Sequence, residues 1–508
     1  MNFDELECER KLLQAELDSK KTQEERNIMG QFSTPDTLAR DVLTHAKNIF
    51  PKDNKVLFLD PAFGTGSFYS ALNSVFPHES IEIATGFEID EHYGKPAKKL
   101  WTRTDLNYHI ADFTNQIPPT EENKYNLVIC NPPYVRHHHI KELKEQLKEK
   151  ALEAANMKVS GLAGLYCYFM AITHPWMKKD GIAGWLIPSE FMDVNYGKAV
   201  KEYLLNEVTL LQIHRFDPSD VQFDDALVSS AVVWFKNKEP EDNSTVKFTY
   251  GGTIDNPENE KNVSVSILKK EKKWSRFPLS EEREESNEPK LSDYFTIKRG
   301  IATGDNKFFI LTRNQIEERA LPLEQFRPIL PSPRYLDTTE LKSDDNGYPV
   351  MEQQLFVLDC KLPLDEVKRI YPNLYNYLEE GIRSGVSDRY LCKNRKIWYA
   401  QENRSESLFY CTYIGRSDQE GKKPFRFILN NSKAIVSNSY LILYPNSKLE
   451  KEMNKKPQLK ELLLKALNQI TGKAMLDEGR VYGGGMHKLE PKELANVPAT
   501  LITSLISD

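Results

Sequence analysis

No apolar run in the 508-residue chain reaches membrane-spanning length, and the charged opening Met1-Asn2-Phe3-Asp4-Glu5 is not that of a signal peptide. Cysteine is scarce. The six that occur, Cys8, Cys130, Cys167, Cys360, Cys392 and Cys411, are scattered without the spacing of a metal site or a disulfide framework. A reduced, cytoplasmic chain with no membrane partner and no metal is therefore expected. An excess of positive charge is also missing: 68 Lys and Arg against 74 Asp and Glu give a formal net charge of −6. That balance does not ask for a nucleic-acid partner, yet an acidic body can carry a basic cleft, so it does not exclude one. Gly-Lys-Ser and Gly-Lys-Thr are absent, which argues against a nucleoside-triphosphate loop. No internal repeat stands out, and the length suffices for two or more domains with proper cores.

What is present, between residues 30 and 235, is a succession of short apolar runs that each end in a polar residue able to hold a ligand. Val56-Leu57-Phe58-Leu59 runs into the glycine turn Asp60-Pro61-Ala62-Phe63-Gly64-Thr65-Gly66, and a helix is predicted from Tyr69 to Val75. Strand, turn and helix in that order open a doubly wound α/β sheet, and Gly64 and Gly66 permit close backbone approach to a ligand. Ile81 to Phe87 ends at Glu88-Ile89-Asp90. Glu88 falls about 20 residues past the glycine turn, where such a sheet places the acid that pairs with ribose hydroxyls. The strand Tyr108 to Ala111 ends at Asp112, whose carboxylate can accept from an adenine amino group. Taken singly, each of these acids is more often a cap or a turn former. Ligands of open α/β sheets bind at the carboxyl ends of the strands, and four such ends in succession point to one site.

The fourth end carries the most specific chemistry. Leu127-Val128-Ile129-Cys130 leads into Asn131-Pro132-Pro133-Tyr134, where two prolines hold the backbone extended and leave carbonyl oxygens that no helix consumes. An exocyclic amine on a nucleobase is a poor nucleophile, because its lone pair is delocalised into the ring. The Asn131 side-chain oxygen and the Pro132 carbonyl are suited to accept its two N–H bonds, freeing that lone pair to face an electrophile. Tyr134 offers a face on which an extruded base could stack, worth roughly 1–3 kcal/mol. Alone, the four residues read rather as a structural turn after a strand.

The remaining stretches are less specific. Leu6 to Met29 is predicted as an exposed N-terminal helix, and Gly30-Gln31-Phe32-Ser33-Thr34-Pro35 as the entry to a helix, where Thr34 caps or its hydroxyl and the backbone N–H groups meet a carboxylate. His137-His138-His139 reads as a solvated loop or nucleic-acid contact rather than a metal site, since adjacent side chains diverge. Lys141 to Lys158 is predicted as a lid or surface helix. Phe223 either fills the gap left by a flipped base or belongs to the core. Residues 236–290 turn polar and charged, a peripheral extension and linker. A further domain, 291–508, opens with the basic and aromatic stretch Lys298-Arg299-Gly300 to Lys307-Phe308-Phe309. That flavour recurs at Lys393 to Tyr399 and Lys422 to Phe427, suiting phosphate contact and stacking or, equally, solvated edges. A basic loop, Gly479 to Leu489, lies near the end.

In combination these residues resemble the gamma-class amino-methyltransferases of restriction-modification systems, of the TaqI type and more closely the BsuBI/PstI type. The resemblance implies a fold and a domain order: residues 1–29 as an N-terminal helix, 30–235 as a doubly wound S-adenosyl-L-methionine-dependent catalytic sheet, and 291–508 as a mixed α+β target-recognition domain. It implies that Phe32, Ser33, Thr34 and Pro35 embrace the methionine part of the cofactor. Asp60, Pro61, Ala62, Gly64 and Gly66 would form its turn, Glu88 and Ile89 its ribose site, and Asp112 and Phe113 its adenine site, with Asn131 adjoining. Asn131, Pro132 and Tyr134 become the catalytic loop. Phe223, Lys298, Arg299, Lys307, Arg480, His487 and Lys488 become the DNA-binding set. The expected activity is methylation of adenine N6 in double-stranded DNA by a monomer paired with a separate restriction endonuclease. Alternatives are cytosine-N4, RNA or protein-glutamine methylation, or a catalytically silent specificity protein.

Overall fold

In the computed structural model, residues 3–217, 229–241, 243–279, 288–416, 425–476, 478–482 and 486–507 are described. The described chain divides into two units, one essentially the first 282 residues and the other the remainder.

The first unit is built on one nine-stranded sheet. Its strands are β1 (Val56–Asp60), β2 (Ile81–Glu88), β3 (Leu106–Ile110), β4 (Tyr125–Cys130), β5 (Met177–Pro188), β6 (Thr209–Arg215), β7 (Ser230–Lys236), β8 (Thr245–Gly252) and β9 (Pro257–Ser264). They lie in the order β3-β2-β1-β4-β5-β7-β6-β8-β9. The first five run parallel, while β7 runs antiparallel to both its neighbours. The helices are α1 (Phe3–Ser19), α2 (Gln23–Met29), α3 (Asp36–Ile49), α4 (Ser67–Val75), α5 (Glu91–Trp101), α6 (Lys144–Ala155), α7 (Leu165–Thr173), α8 (Lys198–Asn206) and α9 (Val265–Lys270).

Side-chain alternation explains why the central strands are continuous apolar runs. Val56, Phe58, Leu127 and Ile129 enter one hydrophobic core with residues of α1, α3, α4 and α5. Leu57, Leu59, Val128 and Cys130 enter the other, with residues of α6, α7 and α8. A parallel sheet covered on both faces needs apolar residues at every position. Removing one such side chain, as in Phe58→Ala, costs about 3–5 kcal/mol.

Two expectations change. The N-terminal helix is two helices and is not simply exposed: Leu6 and Leu17 are 2% and 4% exposed. Arg10, 3% exposed, is held at 2.7 Å by both oxygens of Glu7 and reaches the Thr65 hydroxyl at 3.2 Å. Its charges pair inward, which a count of polar residues cannot show. The stretch 236–290, expected as extension and linker, supplies two strands of the same sheet, β8 pairing parallel with β6 and antiparallel with β9.

The second unit is α+β. Its five-stranded sheet sets Phe295–Arg299, Tyr440–Pro445, Phe409–Thr412 and Phe427–Asn430 antiparallel, with Glu340–Leu341 parallel at the edge. Two three-stranded sheets and several short helices accompany it. Among the described residues no helix is long and apolar enough to cross a membrane.

Candidate active site

The strand order reverses between β1 and β4, neighbours in space that lie on either side of the excursion through β2 and β3. At such a switch point the loops diverge and leave a crevice at the carboxyl ends. A cavity of about 210 Å³ lies there. Its walls include Phe32 and Ser33, Pro61, Ala62 and Gly64 of the glycine turn, Glu88 and Ile89 of the β2 end, Asp112 and Phe113 after β3, and Asn131 after β4. Ten of the predicted cofactor residues thus meet around one space, although the chain separates them by as much as a hundred positions.

Asn131 sits at the junction of two segments. Its amide nitrogen donates to the Phe32 carbonyl at 3.0 Å and to the Thr34 hydroxyl at 3.1 Å. A carbonyl can only accept, so the amide has one orientation, with Oδ1 turned the other way. That oxygen is buried and has no hydrogen-bond partner among the described residues. Leaving a buried acceptor unmet costs about 1–3 kcal/mol, which an incoming N–H would relieve.

The segment Gly30–Pro35 is tied down across the Asn131 loop. Thr22 caps α2 in a reciprocal pair with Glu25, and Gly30 ends it at φ +64°. The Gly30 carbonyl accepts from the Tyr134 N–H at 3.1 Å. A Cβ at residue 30 would come within 2.4 Å of that same nitrogen, so only glycine permits the crossing. Thr34, expected as a helix entry, spends its hydroxyl on Asn131, and Pro35 stands at the N-cap of α3 without a side-chain bond.

The loop's own alternation corrects the stacking expectation. Asn131 and Pro133 line the cavity, whereas Pro132 and Tyr134 are buried on the other side, as an extended backbone requires. The Tyr134 hydroxyl donates to the Leu186 carbonyl at 3.0 Å, its ring lies 5.6 Å from that of Phe32, and it is 9% exposed. Tyr134 therefore braces the loop and presents no open face here.

The acids shape the other side. Asp60, 1% exposed, accepts from the Ala62 N–H at 3.1 Å, and burial, with a further push from the Glu88 charge, raises its pKa to about 8. Glu88 accepts from Gly64 N–H at 2.9 Å and Asp90 N–H at 2.8 Å, and burial raises its pKa too. Asp112 accepts from the backbone and hydroxyl of Thr114 and from Asn115. Asp60 and Gly66 do not line the cavity; Gly66, at φ +97°, starts α4 with Phe63 and Trp101 packed against it.

Several wall residues escaped prediction. Gln14 and Asp18 of α1, Gln31, and Tyr93 of α5 line the polar side, with Tyr93 donating to Asp18 at 2.8 Å and Thr65 donating to Gln14 at 2.6 Å. The signal was the polar stripe Arg10-Gln14-Asp18 at helical spacing. The apolar end holds Ile140, Leu143, Leu147, Leu165 and Phe169, so the segment read as a lid or surface helix forms a wall. His137 to His139 stand in a turn beyond the loop, with His138 and His139 exposed.

The predicted DNA contacts are distributed differently. Lys298 and Lys307 are exposed. The Arg299 guanidinium lies 3.9 Å from the Tyr413 ring centre, and Lys488 lies 5.2 Å from the same ring while pairing with Glu490 at 2.9 Å. His487 is 7% exposed, so its ring is not presented to a nucleic acid here; it is the buried middle residue of the short strand Met486–Lys488. Phe223 and the Arg480 side chain lie outside the described residues.

The sheet order and the switch-point cavity are those of a doubly wound methyltransferase fold. Comparison with known proteins narrows this. The Eco57I restriction-modification methylase family matches residues 74–222, and the C-terminal domain family of the type II methyltransferase M.Eco57I matches residues 271–507. The type II methyltransferase M.AccI of Acinetobacter calcoaceticus is 28% identical over 497 residues, covering 93% of this chain and 85% of that protein. The cryo-electron microscopy structure of a DrdV–DNA complex shares the fold at TM-score 0.53 and 12% identity, over 98% of this chain and 59% of that one. Along most of its length the chain is thus similar to the methyltransferases of type II restriction-modification systems. The expected kinship with the BsuBI type is looser: M.BsuBI of Bacillus subtilis, 24% identical, matches 41% of this chain.

Proposed function

We propose that this chain transfers the methyl group of S-adenosyl-L-methionine to N6 of adenine in double-stranded DNA, and so protects DNA from a separate restriction endonuclease. The observation that carries the reading is the buried, partnerless Oδ1 of Asn131, fixed in direction by the two bonds on its nitrogen. An N–H donor is what it lacks, and a flipped adenine brings one on its amine. The Pro132 carbonyl would take the second N–H, leaving the nitrogen lone pair free.

The cavity suits the cofactor chemically. Phe113, Leu147, Leu165 and Phe169 offer an apolar slot for a purine, and Glu88 stands where ribose hydroxyls would reach a carboxylate. Phe32 and Ser33 would border the methionine part. S-adenosyl-L-methionine supplies an activated methyl on a sulfonium, so the protein has to contribute position and fixed dipoles rather than an acid or base.

DNA as substrate is supported by the family and by the fold shared with a DNA-bound neighbour. The test is mass spectrometry of nucleosides from unmethylated plasmid incubated with the protein and labelled cofactor. N6-methyladenine is expected. N4-methylcytosine instead, or label found only in RNA or protein, would replace the substrate assignment.

A further inference from the structure

The two basic and aromatic stretches at 298–309 and 389–399 are some ninety residues apart in the chain, yet they fold against each other. Arg389 pairs with Asp305 at 3.0 Å and donates to the Gly304 carbonyl at 3.4 Å. Arg395 donates to the Ala302 carbonyl at 2.5 Å, and Cys392 Sγ lies 3.8 Å from the Thr303 carbonyl. Beneath them Phe308 stacks on Tyr377 at 4.6 Å and meets Trp398 at 5.8 Å. The aromatic residues that looked like base-stacking candidates in these stretches are thus largely the packed floor. Gly304, at φ +90°, lets the chain turn with Cys392 Sγ where a Cβ would stand at 2.8 Å.

What this floor carries outward is different. Lys307, Arg389, Lys393 and Lys396 are all exposed, and so is Tyr390, at 75%. The acids on the same two segments are Asp305, already paired with Arg389, and the exposed Asp388. In a chain of net charge −6, these two segments thus expose a surplus of cations together with an aromatic side chain on a packed floor. Strong burial holds its base, so the cations are presented from fixed backbone rather than from a loose loop.

We infer that the surface formed by 304–307 and 389–396 is the phosphate-contacting face of the second unit. Lys307, Lys393 and Lys396 contact the DNA backbone, and Tyr390 packs against a sugar or base edge. This rests on DNA being the substrate. It moves the expected footprint away from Arg299, His487 and Lys488, which are engaged around Tyr413 or enclosed. Nucleic acid fits better than an acidic protein surface, because protein interfaces centre on clustered apolar anchors with charge depleted, whereas these two segments expose four cations and a tyrosine.

The experiment compares the full-length protein with the triple variant Lys307→Ala, Lys393→Ala, Lys396→Ala, and separately with Tyr390→Ala. Binding of a fluorescent duplex cut from plasmid that the wild type methylates is followed across salt. Each lost phosphate contact lowers the slope of log affinity against log salt by about 1, so the triple variant is expected to lose about 3 and to bind about 10-fold or more weakly at low salt. Tyr390→Ala is expected to weaken binding severalfold with the slope unchanged. S-adenosyl-L-methionine affinity, read by calorimetry, checks that each variant is folded. An unchanged slope and affinity in the triple variant, with wild type active on DNA, would overturn the surface alone. Lost binding to the partner endonuclease with DNA binding intact would also overturn it, in favour of a protein contact. Wild type that neither binds nor methylates DNA would overturn both this and the substrate assignment.

Discussion

The strand ends on the two sides of the cavity treat their polar side chains in opposite ways. At the ends of β2 and β3 both carboxylate oxygens are occupied, those of Glu88 by the N–H groups of Gly64 in the glycine turn and of Asp90, those of Asp112 by Thr114 and Asn115 of its own turn. At the end of β4, Asn131 has its nitrogen occupied and its oxygen orphaned. A carboxylate has about four acceptor positions, so it can cap a turn and still receive a ligand hydroxyl; an amide oxygen has two, and on Asn131 none of the described residues uses either. The acids thus build the pocket's shape, and the amide keeps an unmet acceptor at its rim.

Four substitutions would break or sharpen that contrast. Asn131→Ala removes the unmet acceptor itself and is expected to lower turnover by about 10²-fold or more, the scale of losing one fixed transition-state dipole. Cofactor binding by calorimetry should persist; near wild-type turnover would sink the role given to the amide. Gly30→Ala attacks the crossing that orients it. A positive φ and a Cβ 2.4 Å from the Tyr134 nitrogen predict about 1–3 kcal/mol of strain, seen as a lower urea midpoint together with reduced turnover.

Thr34→Val takes away one of the two acceptors on the Asn131 nitrogen and keeps the other. A neutral hydrogen bond contributes about 0.5–1.5 kcal/mol, so turnover should fall by roughly 2- to 12-fold with unchanged DNA affinity. An effect as large as that of Asn131→Ala would mean that Thr34 itself touches substrate.

Asp60→Asn tests the shaping side and should show the smallest effect on activity. Because burial holds the Asp60 pKa at about 8, the folded state keeps a proton that an unfolded aspartate releases near 3.9. Its stability contribution is complete below about pH 4 and is lost as pH rises through about 8. The asparagine variant, which has no proton to lose, should show a flatter melting temperature between pH 5 and 8. An unaltered slope would show that Asp60 ionises freely in the fold.

Much of the catalytic unit was legible because its strands are buried on both faces. Continuous apolar runs closed by Asp60, Glu88, Asp112 and Asn131 leave few other readings, and the order of those ends follows directly from the chain. Partners were not legible. Tyr134 looked like a stacking platform because an aromatic at a loop tip suggests one, but alternation about Asn131 and Pro133 turns its ring into the core. Arg10, Gln14 and Asp18 looked like a solvated face until α1 was seen packed over Thr65 and Tyr93. His487 read as part of a basic loop and proved enclosed.

By itself, the amino-acid order determined which residues stand at strand ends and which turns need glycine or proline, since these depend on neighbours in the chain and on backbone stereochemistry. Only the tertiary structure decided that Asn131 would be gripped from Phe32 and Thr34, leaving one oxygen unmet, and that 304–307 would join 389–396. Those are contacts between distant segments, set by how helices and loops pack across a sheet, and no local pattern encodes which acceptor a side chain finds there.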